Sequence, residues 1–212
     1  MKTTNYSALV FDLGGVIFSI DRDRCVMNLE ALGMAEAASL LDLYCQTGDF
    51  LELEEGKISA GEFYDRWRAM ATPGTSDEQI TQALYSFITA LPPHRLDALK
   101  ELRARGFKLY VLSNTNPILY HGVIDRLFRQ RGESIRDYFD GEILSFQEKV
   151  CKPDPEIFRI LLRRYALDPE HTLFLDDSAK NCEASRAEGI PSLLIPENAE
   201  FIDILRENGI LD

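Results

Sequence analysis

At 212 residues the chain is long enough to bury a substantial core, as one domain or as a domain carrying an insertion. Its formal net charge of −12 disfavours nucleic acid and anionic membrane surfaces as partners, because a polyanion repels such a chain, so a small ligand is expected. No N-terminal stretch has the make-up of a secretion signal and no apolar run is long enough to span a bilayer, which makes the cytoplasm the expected location.

Apolar, β-prone runs alternate with amphipathic stretches, the pattern of an α/β fold in which helices cover a parallel sheet. The first run, Ala8–Phe11, predicts a buried strand with Asp12 at its end. Residues 21–91 differ: they show helical periodicity and no convincing buried strand, which predicts a helical insertion after the first strand. Ser59 and Glu62 are spaced as a capping box before Phe63, Trp67 and Met70, and Thr75, Ser76 and Asp77 offer caps for a helix through Phe87. Pro92 and Pro93 mark the return to the sheet, since proline suits a boundary and a first helical turn.

Beyond them a helix is expected over 93–105, closed by Gly106, followed by strands over 108–112 and Gly141–Leu144. A helix over Pro155–Tyr165, with Ile157, Phe158, Leu161 and Leu162 on one face, and strands over 172–175 and 192–195 complete the order. There is no internal repeat or low-complexity segment. The four cysteines, Cys25, Cys45, Cys151 and Cys182, lack CxxC spacing and are read as unpaired thiols without a role.

Acids concentrate where the strands end. Asp176 and Asp177 follow the run 172–175 directly, and two adjacent carboxylates beside Asp12 call for a cation, since ligands of open α/β sheets collect beyond the carboxyl ends of the strands. Magnesium takes oxygen ligands and is commonly held by one or two carboxylates plus a substrate phosphate, which these three can meet. One of the pair can instead cap the helix over 179–187.

Asp12 leads into Leu13, Gly14, Gly15 and Val16, a turn that glycine permits and whose amides can converge on a phosphate. That places a carboxylate able to attack phosphorus beside an anion cradle, although Asp and Gly are also ordinary turn residues. Ser113 and Asn114 can donate to phosphate oxygens or serve as caps. Lys152 is either a solvated lysine before a helix or the cation that lets two anions approach.

Taken together, Phe11 to Val16, Leu112 to Thr115, Lys152 with Pro153, and Leu175 to Ser178 resemble the four ordered motifs of the haloacid dehalogenase-like hydrolase superfamily, in its branch with a helical cap after the first strand. The stretch from Val111 to Asn116 and the Asp176 pair look especially like bacterial sugar-phosphate phosphatases of the glucose-1-phosphate type. The resemblance implies a Rossmann-like parallel sheet core of residues 1–18 and 92–212 and an α-helical cap of residues 19–91. It implies Asp12 as nucleophile and magnesium ligand, the Gly14 carbonyl and Asp177 as further ligands, and Asp176 as a ligand directly or through water.

Ser113, the Asn114 amide, Lys152 and the turn at Gly15 would hold the phosphoryl group, with Ser113 and Lys152 also counted as catalytic. Asn181 is expected at most to support this set, as a polar helix residue is usually solvated. The stretch from Glu54 to Ser59 is similar to a cap segment that overhangs the centre and contributes to substrate choice, or is a plain loop into a capped helix.

One position departs from the family pattern. Where phosphatases of the superfamily carry a second aspartate two residues after the nucleophile, as general acid and base, this chain has Gly14. Losing a positioned acid or base costs about 100 to 10,000 fold in rate. Glucose-1-phosphate-type enzymes resemble the chain in this glycine, and Asp21 is either a substitute or, more simply, a helix cap.

The expected function is therefore a magnesium-dependent phosphatase of a small phosphorylated metabolite, a sugar phosphate above all, acting through an aspartyl-phosphate. A metal-free 2-haloacid dehalogenase and a non-catalytic phosphometabolite-binding regulator are the alternatives. Neither nucleic acid nor membrane is expected as partner, and the chain is expected as a monomer or homodimer.

Overall fold

The computed structural model describes residues 6–41, 46–129, 132–197 and 199–211. Among the described residues seven strands form in chain order: β1 (Ala8–Phe11), β2 (Ser19–Ile20), β3 (Ile88–Ala90), β4 (Lys108–Ser113), β5 (Gly141–Leu144), β6 (Thr172–Asp176) and β7 (Ser192–Leu194). Five of them make one sheet in the order β5-β4-β1-β6-β7, parallel throughout. Strand β1 is apolar at every position and buried along its length, because it lies at the centre with Ala8 opposite Lys108 on one side and Thr172 on the other.

Alternate residues of the strands feed two cores, as a period of two requires. Leu9, Phe11, Leu109, Val111, Leu173 and Leu175 pack on one face with Leu96, Leu99, Phe201 and Leu205. Ala8, Val10, Leu112, Ile143 and Phe174 pack on the other with Ile157, Phe158 and Leu161 of helix Pro155–Tyr165. Phe158 meets Phe174 edge to face at 5.5 Å between ring centroids, a geometry worth about 0.5–1.5 kcal/mol beyond the buried area.

Helices occupy the interval between β2 and β3: Arg22–Ala31, Gly48–Glu54, Ala60–Met70 and Asp77–Tyr85 are the main ones. Phe50, Phe63 and Trp67 stack among them, with Phe63 and Trp67 4.2 Å apart. The capping box of Ser59 and Glu62 forms as its spacing predicts, and Ser76, among the three expected caps, closes a second box with Gln79.

Ile88–Ala90 is a strand within a stretch read as holding no convincing buried strand. It is short and mostly exposed, so it lacks the apolar run that marks a buried strand, and it forms by antiparallel pairing with Ser19–Ile20 across the two ends of the helical segment. Boundaries shift by a residue elsewhere: β4 runs on to Ser113, β6 takes in Asp176, and β7 stops at Leu194. No helix among the described residues is long and apolar enough to cross a membrane.

Candidate active site

Strand order fixes where a site can form. The chain leaves β1 for β4 and β5 on one side and returns to β6 and β7 on the other, so a crevice opens beyond the carboxyl ends of β1 and its neighbours. Asp12 follows β1, Asp176 ends β6 and Asp177 follows it. Oxygen atoms of these three carboxylates all lie within 4.8 Å of one another. At that spacing each pair of unit charges repels by roughly 3–4 kcal/mol at an effective dielectric of about 20.

Lys152 is the internal counter-charge. Its buried Nζ lies 3.0 Å from Asp12 Oδ1 and 2.7 Å from Asp176 Oδ2. Burial alone would lower its pKa, but Asp12 and Asp176 together hold it above the ordinary lysine range, so it stays an ammonium. Asp12 Oδ1 also accepts the Leu13 N–H at 2.7 Å.

Asp176 is wholly buried and held by three groups. The Ser178 N–H donates to Oδ1 at 2.8 Å, Asn181 Nδ2 reaches both oxygens at 3.1 and 3.2 Å, and Lys152 takes Oδ2. Neither aspartate of the pair caps the following helix; Ser178 does, accepting the Asn181 N–H. Asn181 is not a solvated helix residue, because the first turn of its helix turns it inward onto Asp176.

The remaining carboxyls are hard to ionise. Burial pushes Asp12 up to about 6, with Lys152 pulling it back and Asp176 pushing it further. Asp177 rises to about 7, from burial first and then from Asp12 and Asp176. A cation would relieve both.

Gly15 makes the cluster sterically possible. Its φ is +71°, and a Cβ there would lie 2.1 Å from Asp177 Oδ2, so a side chain and the aspartate cannot share the space. Ser113 is buried at the end of β4, with its hydroxyl 3.4 Å from the Asn114 carbonyl. The Asn114 side chain is engaged with the Lys152 backbone: its Nδ2 donates to the Lys152 carbonyl at 2.9 Å and its Oδ1 accepts the Lys152 N–H at 2.8 Å. It thus fixes the lysine that sits on the carboxylates.

A cavity of about 80 Å³ opens on this centre, lined by Asp12, Gly14, Asn114, Lys152, Asp177 and Asn181 and, from or beside the helical segment, Ile20, Gln46, Glu54 and Phe87. A larger cavity of about 440 Å³ lies near the start of β5, around Arg103, Arg136 and Tyr165, and none of Asp12, Asp176 and Asp177 lines it. Ser113, Gly15 and Asp176 are not among the residues that line the smaller cavity. Asp21 does not reach it among the described residues; its carboxylate accepts the Arg24 N–H at 2.9 Å as the cap of helix Arg22–Ala31.

Glu54 is the residue that sequence reasoning passed over as one position in a cap loop. It ends helix Gly48–Glu54, is 6% exposed, and has its carboxyl pushed up to about 8 by burial first, with Asp12 and Glu55 adding and Lys152 opposing. Glu54 stands close to Glu52 and Glu55 in the chain, and nothing in that local pattern marks it as the buried one. Cys25, Cys151 and Cys182 are free thiols, as expected, while Cys45 lies outside the described residues.

The sequence matches the profile of the haloacid dehalogenase-like hydrolases over residues 6–189. A D-ribitol-5-phosphate phosphatase of Bacteroides thetaiotaomicron is 38% identical over 190 residues, covering 90% of this chain and 91% of that protein. Among solved structures, a family enzyme from the same organism, an aspartate-to-alanine mutant in complex with magnesium and inorganic phosphate, superposes with a TM-score of 0.90 at 34% identity, over 95% of this chain and 99% of that one. A predicted family hydrolase of Porphyromonas gingivalis gives 0.89 at 27% identity, over 98% and 100%. Likeness over this much of its length shows that the chain belongs to the haloacid dehalogenase-like hydrolase family.

Proposed function

We propose that the protein is a magnesium-dependent phosphatase of small sugar or polyol phosphates, working through an aspartyl-phosphate on Asp12. The observation that carries the reading is the grouping of Asp12, Asp176 and Asp177 around one buried lysine at the strand ends. Three carboxylates against one ammonium leave an excess of negative charge, and burial makes that excess costly.

The donor set fits magnesium: it is all oxygen, clustered and partly ionisable only at a cost that a divalent ion offsets. Asp12, Asp177 and the Gly14 carbonyl would hold the ion. Asp176, already occupied by Ser178, Asn181 and Lys152, acts from behind, directly or through water. When bound, magnesium would neutralise phosphoryl charge and align the phosphate with the nucleophile.

In the reaction Asp12 Oδ2 attacks phosphorus, since Leu13 and Lys152 hold Oδ1. The phosphorus–oxygen bond to the leaving group breaks as the Asp12–phosphorus bond forms, and water then hydrolyses the acyl phosphate. Lys152 lowers the repulsion between carboxylate and phosphate. Residues 19–91 serve as a cap over a core of 1–18 and 92–212, and the small cavity restricts substrates to those that fit beneath it. The ribitol phosphate specificity of the relative supports a polyol or sugar phosphate.

The test is phosphate release from a panel of sugar, polyol and nucleotide phosphates, with haloacids included, for wild type and Asp12→Asn with magnesium or chelator. Activity confined to phosphate esters, and lost with chelator and with Asp12→Asn, is expected. Halide release without metal would replace this reading with a dehalogenase, and ligand binding without turnover would replace it with a regulator.

A further inference from the structure

The family's general acid is absent at Gly14, yet attack on an alkyl phosphate needs a proton for the departing alkoxide. Among the described residues that line the cavity, the groups able to carry one are Asp12, Lys152, Asp177 and Glu54. Asp12 is the nucleophile, Lys152 is fixed between two carboxylates, and Asp177 belongs to the acidic cluster on the same side of the cavity as Asp12. The histidines are elsewhere: His94 meets Glu200, His171 meets Asp168, and His121 packs on Tyr120 and Phe146. Asp21 is spent on its helix cap.

Among these groups Glu54 alone comes from the helical segment, whereas Asp12 follows a strand of the sheet, and both line the one cavity. In-line displacement calls for an acid that does not share the nucleophile's element, because the leaving oxygen departs from the face opposite the attacking one. The backbone just after Glu54 is also anchored. Gly56 has a φ of +58°, and a Cβ there would lie 2.2 Å from the Phe146 carbonyl oxygen, so the loop rests directly on main chain between β5 and Lys152.

Resting on the nucleophile assignment above, we propose that the Glu54 carboxyl is the general acid and base that Gly14 cannot supply. In the first step it gives its proton to the leaving-group oxygen as the phosphorus–oxygen bond breaks, and becomes a carboxylate. In the second, that carboxylate takes a proton from the water entering along the same line, the water oxygen bonds to phosphorus, and Asp12 is released as a carboxylate. The cycle leaves Glu54 protonated again and consumes one water. Its burial keeps the resting carboxyl neutral, and the charges that face it are Asp12, Lys152 and its neighbour Glu55.

The experiment compares an alkyl polyol phosphate with 4-nitrophenyl phosphate, whose leaving group departs unprotonated, in wild type, Glu54→Gln and Asp12→Asn. For Glu54→Gln, kcat on the alkyl ester should fall by about 100 to 10,000 fold. On the aryl ester a burst of nitrophenolate should persist ahead of slow turnover, with phosphorylated protein visible by intact mass. A loss of equal size on both esters without a burst, or no loss on either, overturns the assignment of Glu54. Turnover by Asp12→Asn would overturn the nucleophile instead, whatever Glu54→Gln does.

Discussion

Replacing Gly15 by alanine isolates the steric demand of the aspartate cluster. Two costs can be worked from the structure. The φ of +71° is the left-handed region, where a Cβ costs about 1–2 kcal/mol. The added Cβ would also stand 2.1 Å from Asp177 Oδ2 and 2.7 Å from its Cγ, so the carboxylate must swing away and leave the group of oxygens that now lie within 4.8 Å.

Movement of Asp177 returns something, since the repulsion from Asp12 and Asp176 that raises its own pKa then weakens. For a chain of this length 1 kcal/mol shifts Tm by about 2–4 °C, so Gly15→Ala should melt roughly 2–8 °C lower without metal. Its magnesium affinity should fall by at least about 10 to 100 fold, the range for residues that merely support a ligand. Thermal melts with and without magnesium, and titration calorimetry of the ion, measure both. Gly14→Ala is the neighbouring comparison, because its Cβ would meet only Ile20 at 3.6 Å, and its melting point should hardly move. A folded Gly15→Ala protein that binds magnesium as wild type does would refute the steric argument.

Lys152→Met should cost about 3–5 kcal/mol of metal-free stability, as removal of one partner from a buried pair does, with part of it restored by magnesium; denaturant titration with and without the ion decides, and unchanged stability would contradict the ion-pair geometry. Glu54 has a folded-state pKa of about 8 against an ordinary 4.5, so its ionisation opposes folding increasingly as pH rises from 4.5 towards 8. In metal-free protein Glu54→Gln should therefore melt several degrees above wild type near pH 8 and equal to it near pH 4.5, and an advantage largest in acid would reverse the sign. Gly56→Ala should lower Tm by several degrees and reduce kcat on alkyl esters, because a Cβ 2.2 Å from the Phe146 carbonyl lifts the segment carrying Glu54; melts and steady-state rates on both ester types report it.

The strands that position the site were legible because burial on both faces writes itself as runs such as Ala8–Phe11, and the acids at their ends stood out against that apolar background. What escaped depended on where the fold turns each side chain. Asn181 looks like any polar helix residue until the fold brings Asp176 beneath it, and Asn114 gives no sign that the Lys152 backbone will take both ends of its amide. β3 is too short and exposed to carry a periodic signal, and exists through its pairing with Ser19–Ile20. Glu54 differs from the half-buried Glu52 two positions earlier only in where the helix points it, which local pattern does not encode.

The central place of β1 has a consequence during synthesis. The strand emerges before both of its neighbours, which begin at Lys108 and Thr172, and Ala8 pairs with both. Until β6 has left the ribosome, one edge of an entirely apolar strand is open to other chains, the situation that makes nonlocal sheets slow to fold and prone to aggregate. A nascent chain that stops short of Asp176 holds Asp12 but cannot assemble the carboxylates around it, so the acidic cluster forms late and all at once.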